Sequence, residues 1–142
     1  MNRKIGNITN YLAALILIIM GLIYLFKNSF MPYHSEAVSM DWSEVESNLQ
    51  HLLVAFMRAV SGGFLAVAIS IILLQRKFSM NKTSWIPLII LITGLVVNLS
   101  ALYATMIVRF NTPGNPPTTL AIVGFLLLII AYIFNRMSLK EN

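Results

Sequence analysis

Leu49–Leu74, LQHLLVAFMRAVSGGFLAVAISIILL, decides the fold: it can cross a bilayer as one helix, and Arg58 is the only Lys, Arg, Asp or Glu inside it. A membrane helix needs about 20 mostly apolar residues, because in lipid each backbone N–H and C=O must find its partner within the segment. Three further stretches meet or approach that requirement: Thr9–Phe26, Trp85–Val108 and Pro117–Phe134. Little sequence remains for a soluble domain.

The composition agrees. Of 142 residues, 58% are hydrophobic and 11% charged, with mean hydropathy +0.79, whereas soluble domains carry about 25% charged residues. A water-soluble globule is thereby excluded, and the chain reads as an integral membrane protein. It has no cysteine, which removes disulfides, thiol redox chemistry, iron–sulfur clusters and thiolate zinc sites. Arg3 and Lys4 before the first span give it the outline of a secretory leader, but no small-residue cleavage site follows Phe26. Lys27, Asn28 and Phe30 read as an interfacial exit, so the first helix is expected to be retained.

Basic residues set the expected orientation. The N-terminus, the second connection and the C-terminus hold Arg3, Lys4, Arg76, Lys77, Lys82, Arg136 and Lys140, while the first and third connections hold only Lys27 and Arg109. The rule that cytoplasmic segments are enriched in Lys and Arg predicts both termini in the cytoplasm of a multi-pass protein of the inner (plasma) membrane. Glu36, Asp41, Glu44 and Glu46 make the first outer loop acidic. The short connection Gln75–Ser84 makes its flanking helices antiparallel neighbours, and Asn111–Pro117, with three prolines, forms a rigid turn into the last helix. The expected fold is all-α, a four-transmembrane-helix antiparallel bundle with a longer ordered first outer loop. Residues 1–142 form a single integral membrane domain with helices at about 9–26, 42–75, 85–108 and 117–135.

Arg58 is the residue that topology leaves unexplained, since a guanidinium at the bilayer centre costs at least ~2.5–3.5 kcal/mol. Counting outward from Leu74 at ~1.5 Å per residue across ~30 Å places the outer boundary near Ala55, so Arg58 lies one or two turns below it and leans toward water. Snorkelling to the headgroups is one reading; an anion or headgroup site is the other. If the second helix begins near Trp42, as the Asp41/Glu44 capping box suggests, then Glu44, His51, Arg58 and Gly62 share one stripe. Asn98 is the best intramembrane partner for Arg58. The candidate ligand-binding residues are therefore Arg58, His51, Asn98 and Glu44.

Other features read as structure. Ala55, Ala59, Gly62, Gly63 and Ala66, and the stripe Gly94, Asn98, Ala101 and Thr105, are expected to pack within the bundle, with self-association as the alternative. Tyr24, Tyr33, Trp42, Trp85 and Tyr103 read as interfacial aromatic-belt residues. His34 and His51 lack the further ligands of a metal or haem site, and no cofactor is expected.

The pattern Met31-Pro32-Tyr33-His34, then Trp42, Met57-Arg58, Gly62-Gly63 and Leu65-Ala66, followed by Leu102-Tyr103-Ala104-Thr105 and Thr112-Pro113-Gly114 before Pro116-Pro117, resembles a group of small bacterial four-helix membrane proteins of uncharacterised function. The resemblance covers about three quarters of the chain. It implies an intact four-helix protein and draws attention to the outer half of the bundle, without implying a reaction, substrate or catalytic residue.

The sequence thus favours a non-enzymatic membrane protein whose outer-leaflet recess around Arg58 takes a lipid headgroup, an amphipathic small molecule or a partner helix. The alternatives are a small oligomeric transporter and a membrane enzyme acting on lipid at the outer surface. The first span lacks the acidic residue of small multidrug exporters, and no nucleophile–base motif is present. The expected partners are the bilayer, a lipid or amphipathic ligand, and a membrane protein or second copy. Nucleic acid is not expected, because the short basic clusters beside membrane exits suit anionic lipid.

Overall fold

The computed structural model describes residues 1–141, which form five helices: α1 (Asn2–Phe26), α2 (Pro32–Val38), α3 (Ser47–Asn81), α4 (Ile86–Asn111) and α5 (Thr118–Ser138). All but α2 are long and apolar enough to cross a membrane. The protein is an all-helical membrane protein. α1 packs against α3 and α5, and α4 closes the ring by packing against the same two. Both termini lie at one end of the bundle, here the terminal end; α2 and the α4–α5 loop lie at the other, the distal end.

The helix boundaries exceed the apolar stretches in several places. α1 begins at Asn2 instead of near residue 9, and α3 continues to Asn81, where Lys82 takes a left-handed conformation (φ 47°) and ends the helix. Helical hydrogen bonding does not stop at the hydrocarbon boundary, and α3, with 35 residues, extends ~52 Å at ~1.5 Å per residue. Its start also differs from the expected Trp42. The Asp41/Glu44 capping box is present, but it caps a separate 3-10 turn, Trp42–Glu44, in which Asp41 N donates to Glu44 Oε2 at 2.9 Å. Val45 and Glu46 are extended, and α3 starts afresh at Ser47 with the Glu46 carboxylate accepting from Asn48 N. Glu44 is therefore not on the helix that carries His51 and Arg58.

The tight packing is concentrated away from the distal end. Ala13, Ala14 and Leu17 of α1, Ala68, Ile71 and Phe78 of α3, Ile86 and Ile90 of α4, and Leu128 of α5 form one buried cluster. Alanine at 13, 14 and 68 lets backbones approach closely, which matters in lipid because the tails are as apolar as the helix surfaces and only packing and polar contacts discriminate.

Beside this cluster runs a network of neutral side chains that the span boundaries had obscured. Gln75 is fully buried; its Oε1 accepts from Asn10 Nδ2 (2.6 Å) and Asn135 Nδ2 (2.9 Å), and its Nε2 donates to Asn7 Oδ1 (2.5 Å) and Asn135 Oδ1 (3.4 Å). Ser79 Oγ also donates to Asn7 Oδ1 at 2.8 Å. One residue of α3 thus ties α1 and α5 together.

Interhelical side-chain hydrogen bonds average ~0.6 kcal/mol and reach ~1.7, so Gln75→Leu is expected to destabilise the bundle by about 2 kcal/mol. Equilibrium unfolding in mixed micelles measures it. Leu at neighbouring, exposed position 76 provides the control, and equal stability of both variants with the parent would remove the network's assigned role.

Candidate functional site

α1 ends at Phe26, with its last carbonyls in need of donors. Arg58 of α3 supplies those donors. Its Nη1 donates to Tyr24 O (2.6 Å) and Lys27 O (2.8 Å), and its Nη2 donates to Asn28 Oδ1 (2.5 Å). A guanidinium suits this position because it presents several donors in a fixed fork and places positive charge at the negative end of the α1 dipole. Arg58 is half-buried and neither extends alone to the headgroups nor meets Asn98.

The polypeptide then folds back over the bundle. Pro32 opens α2 at a position where its missing N–H is harmless. Met31 N donates to His34 Nδ1 at 3.3 Å. The His34 ring makes edge contacts with Tyr33 (centroids 4.3 Å apart), Phe30 (5.9 Å) and Tyr24 (6.5 Å), and Trp42 packs against Phe30 at 4.8 Å. The hydroxyls of Tyr24 and Tyr33 are hydrogen-bonded to each other. From the other side, the α4–α5 loop presses on α2: Asn115 N donates to Glu36 Oε2 at 3.0 Å. Gly114 is needed there, since a Cβ would lie 2.7 Å from Tyr33 O and 2.9 Å from Ala37 Cβ. α2 is thus a clamped cap on the distal end.

Beneath the cap is a cavity of about 330 Å³, within the size range of small-molecule sites. Tyr24, Tyr33 and His34 form its roof, Leu17 lies on its α1 wall, and Ala101, Ala104 and Ala121 on α4 and α5 keep it open by being small. Val60 of α3 and Ala104 of α4 both line it and are exposed on the outer surface of the bundle. Of the neighbouring pairs, α3 and α4 are the most loosely packed, and side chains of both line the cavity. A shallower recess of about 210 Å³ between α2 and α3 shares Tyr24, His34 and Val60.

The structure separates the four residues singled out from the sequence. Asn98 lines the cavity, buried, with Nδ2 donating to Gly94 O at 2.9 Å and Oδ1 beside Gly124, where a Cβ would not fit. Arg58 holds the end of α1, His51 is exposed on α3, and Glu44 is exposed in the 3-10 turn. Tyr24, Tyr33 and His34, read as interfacial or loop residues, form the roof. The α3 small-residue face points outward: Ala55, Ala59, Gly62, Gly63 and Ala66 are exposed, and a Cβ at Gly62 or Gly63 meets nothing within 4 Å. Gly94 and Asn98, by contrast, pack into α5 as expected. No group of metal-ligating side chains occurs among the described residues.

No known protein family, curated protein or solved structure matches the chain.

Two predictions follow from the roof and its anchor. Arg58→Met keeps an unbranched apolar stem but leaves Tyr24 O and Lys27 O without donors; hydrogen bonds involving charged groups contribute about 1.5–3 kcal/mol, so unfolding in mixed micelles is expected to shift by about that amount. Arg58→Lys should recover only part of it, because the fork is lost; full recovery would show that charge alone suffices.

Burial lowers the His34 pKa below its ordinary 6.5, and burial followed by the Tyr24 hydroxyl raises that of Tyr33. The folded cap therefore holds neutral His34 more readily than the unfolded chain does. Its stabilisation is complete above about pH 6.5 and is lost as pH falls through the lowered folded value. Fluorescence of Trp42 in a Trp85→Phe background should change on acidification below pH 6.5, and His34→Phe should abolish the change. Persistence of the change in His34→Phe would assign it to another group.

Proposed function

We propose that the protein is a non-enzymatic, multi-pass membrane protein that holds an amphipathic small molecule or single lipid in its distal cavity, with both termini in the cytoplasm and the α2 cap at the outer surface. The carrying observation is the cavity itself. It lies in the half of the bundle where side chains on α4 and α5 are small, and it is roofed by a fixed aromatic cluster. A void of this size lined by apolar atoms loses dispersion contacts unless something occupies it.

The proposed site centres on Tyr24, Tyr33 and His34, with Asn98 at its deeper edge, and not on Arg58. The guanidinium already donates to two carbonyls and an amide oxygen, so an anionic headgroup there would have to compete with the end of α1. The placement of basic residues supports the orientation, because seven of them flank the terminal end.

Filling the cavity tests it. Purified protein is expected to carry about one tightly held apolar molecule per chain, found by extraction and mass spectrometry against protein-free micelles. Ala101→Phe and Ala121→Phe should lose that molecule while remaining folded. If all three proteins carry the same lipid complement, the cavity is not a ligand site.

A further inference from the structure

Taking the cavity as a ligand site, we infer that its occupant is a lipid-like molecule with an uncharged, hydrogen-bond-accepting head, a carbonyl or a hydroxyl, held beneath Tyr33 and His34 with its tail directed toward Leu17. The first argument is the absence of charge. None of the lining residues is Lys, Arg, Asp or Glu, and the nearby cation, Arg58, is engaged by Tyr24 O, Lys27 O and Asn28 Oδ1. A carboxylate, phosphate or ammonium head would be desolvated without a countercharge, which is unfavourable for any buried ion. The cavity therefore selects against phospholipids, ionised fatty acids and cationic amphiphiles.

The second argument is the kind of hydrogen-bonding groups left at the roof. His34 Nδ1 accepts from Met31 N, so the neutral ring carries its hydrogen on Nε2, where it donates to nothing among the described residues. The two tyrosine hydroxyls share one hydrogen bond, which uses one of their two hydrogens and leaves the other available. The roof thus offers two spare donors. Groups arranged in this way recognise an acceptor, such as the carbonyl of an ester, ketone or quinone, or a hydroxyl oxygen. Thr105, also on the lining, donates its own hydroxyl hydrogen to Leu102 O at 2.9 Å and has only acceptor capacity left, which a hydroxyl head could use and a carbonyl could not. Asn98 lies seven residues, or ~10 Å, deeper along α4, and its Nδ2 donates to its own helix; it borders the tail.

The test uses the full chain in nanodiscs of neutral lipid, exposed to five probes with a common twelve-carbon chain: methyl dodecanoate, 1-dodecanol, dodecanoate, dodecyltrimethylammonium and dodecane. Retention after gel filtration is measured relative to empty discs and to discs carrying the cavity-filled Ala101→Phe protein. Methyl dodecanoate and 1-dodecanol are expected to be retained about tenfold better than the two charged probes, and better than dodecane. Tyr24→Phe, Tyr33→Phe and His34→Phe together, which remove every roof donor, should reduce methyl dodecanoate to the level of dodecane without abolishing dodecane retention. Preferred retention of methyl dodecanoate would point to a carbonyl head, and preferred retention of 1-dodecanol to a hydroxyl head acting through Thr105. Equal retention of all five, or preference for dodecanoate or dodecyltrimethylammonium, overturns the uncharged-head inference while leaving the cavity a ligand site. Retention of none beyond the Ala101→Phe control overturns the ligand site itself.

Discussion

Gln75 is the point on which the arrangement depends. Helices in lipid gain little from hiding apolar surface from one another, so a polar group that can be satisfied only across an interface sets their relative placement. Gln75 is fully buried and bonded to Asn7, Asn10 and Asn135, which fixes α3 against α1 and α5 in one register. The alanines of the adjacent core then allow close approach. With that end fixed, the small residues on the distal halves of α4 and α5 cannot be compensated by sliding or rotating helices, and a void results. The tight end and the cavity are two outcomes of one constraint.

The distal end is closed by different chemistry. α1 terminates before the chain turns back, and its last carbonyls there have no intrahelical donors. Arg58 satisfies them from a neighbouring helix, which explains a cation within a membrane span without a ligand. The same bonds fix the backbone of Tyr24, whose hydroxyl holds Tyr33 and through it α2. Arg58 thereby acts on the cavity through the roof. It is a positioning residue, one helix turn and a peptide backbone away from the space that it shapes.

The number of spanning helices, their neighbours and the rigid α4–α5 turn were legible in the sequence because hydropathy, loop length and proline are local signals. The fate of individual polar residues was not. Arg58 stood out as a charge in an apolar run, but its partners are backbone carbonyls of α1, which carry no side-chain signature. Gln75, Asn10 and Asn135 sit near the ends of their apolar stretches, where amides ordinarily meet water; they became buried because α1 and α3 continue as helices well beyond those stretches. The small residues of α3 and α4 looked alike in sequence, yet one set faces outward and the other packs on α5, since residue size permits a close approach without specifying a neighbour. Tyr33 and His34 lay in a loop by hydropathy, and only Pro32 marked the short helix that turns them inward.

The distribution of charge follows from the same division of labour. Ionisable side chains serve the ends of the molecule: basic residues flank the terminal end, acids decorate the distal loops, and Arg58 caps α1. Inside the bundle, polarity is carried by amides and hydroxyls, which can be satisfied in pairs without the desolvation cost of an ion. In the terminal half that neutral polarity is nearly closed on itself, with each amide of the Gln75 network engaged by another. At the roof of the cavity it is not closed, because the His34 Nε2 hydrogen and one tyrosine hydroxyl hydrogen have no acceptor among the described residues. An apolar void with unspent donors at its roof is the arrangement expected of a site for a neutral amphiphile, whereas a purely structural cavity would have no use for them.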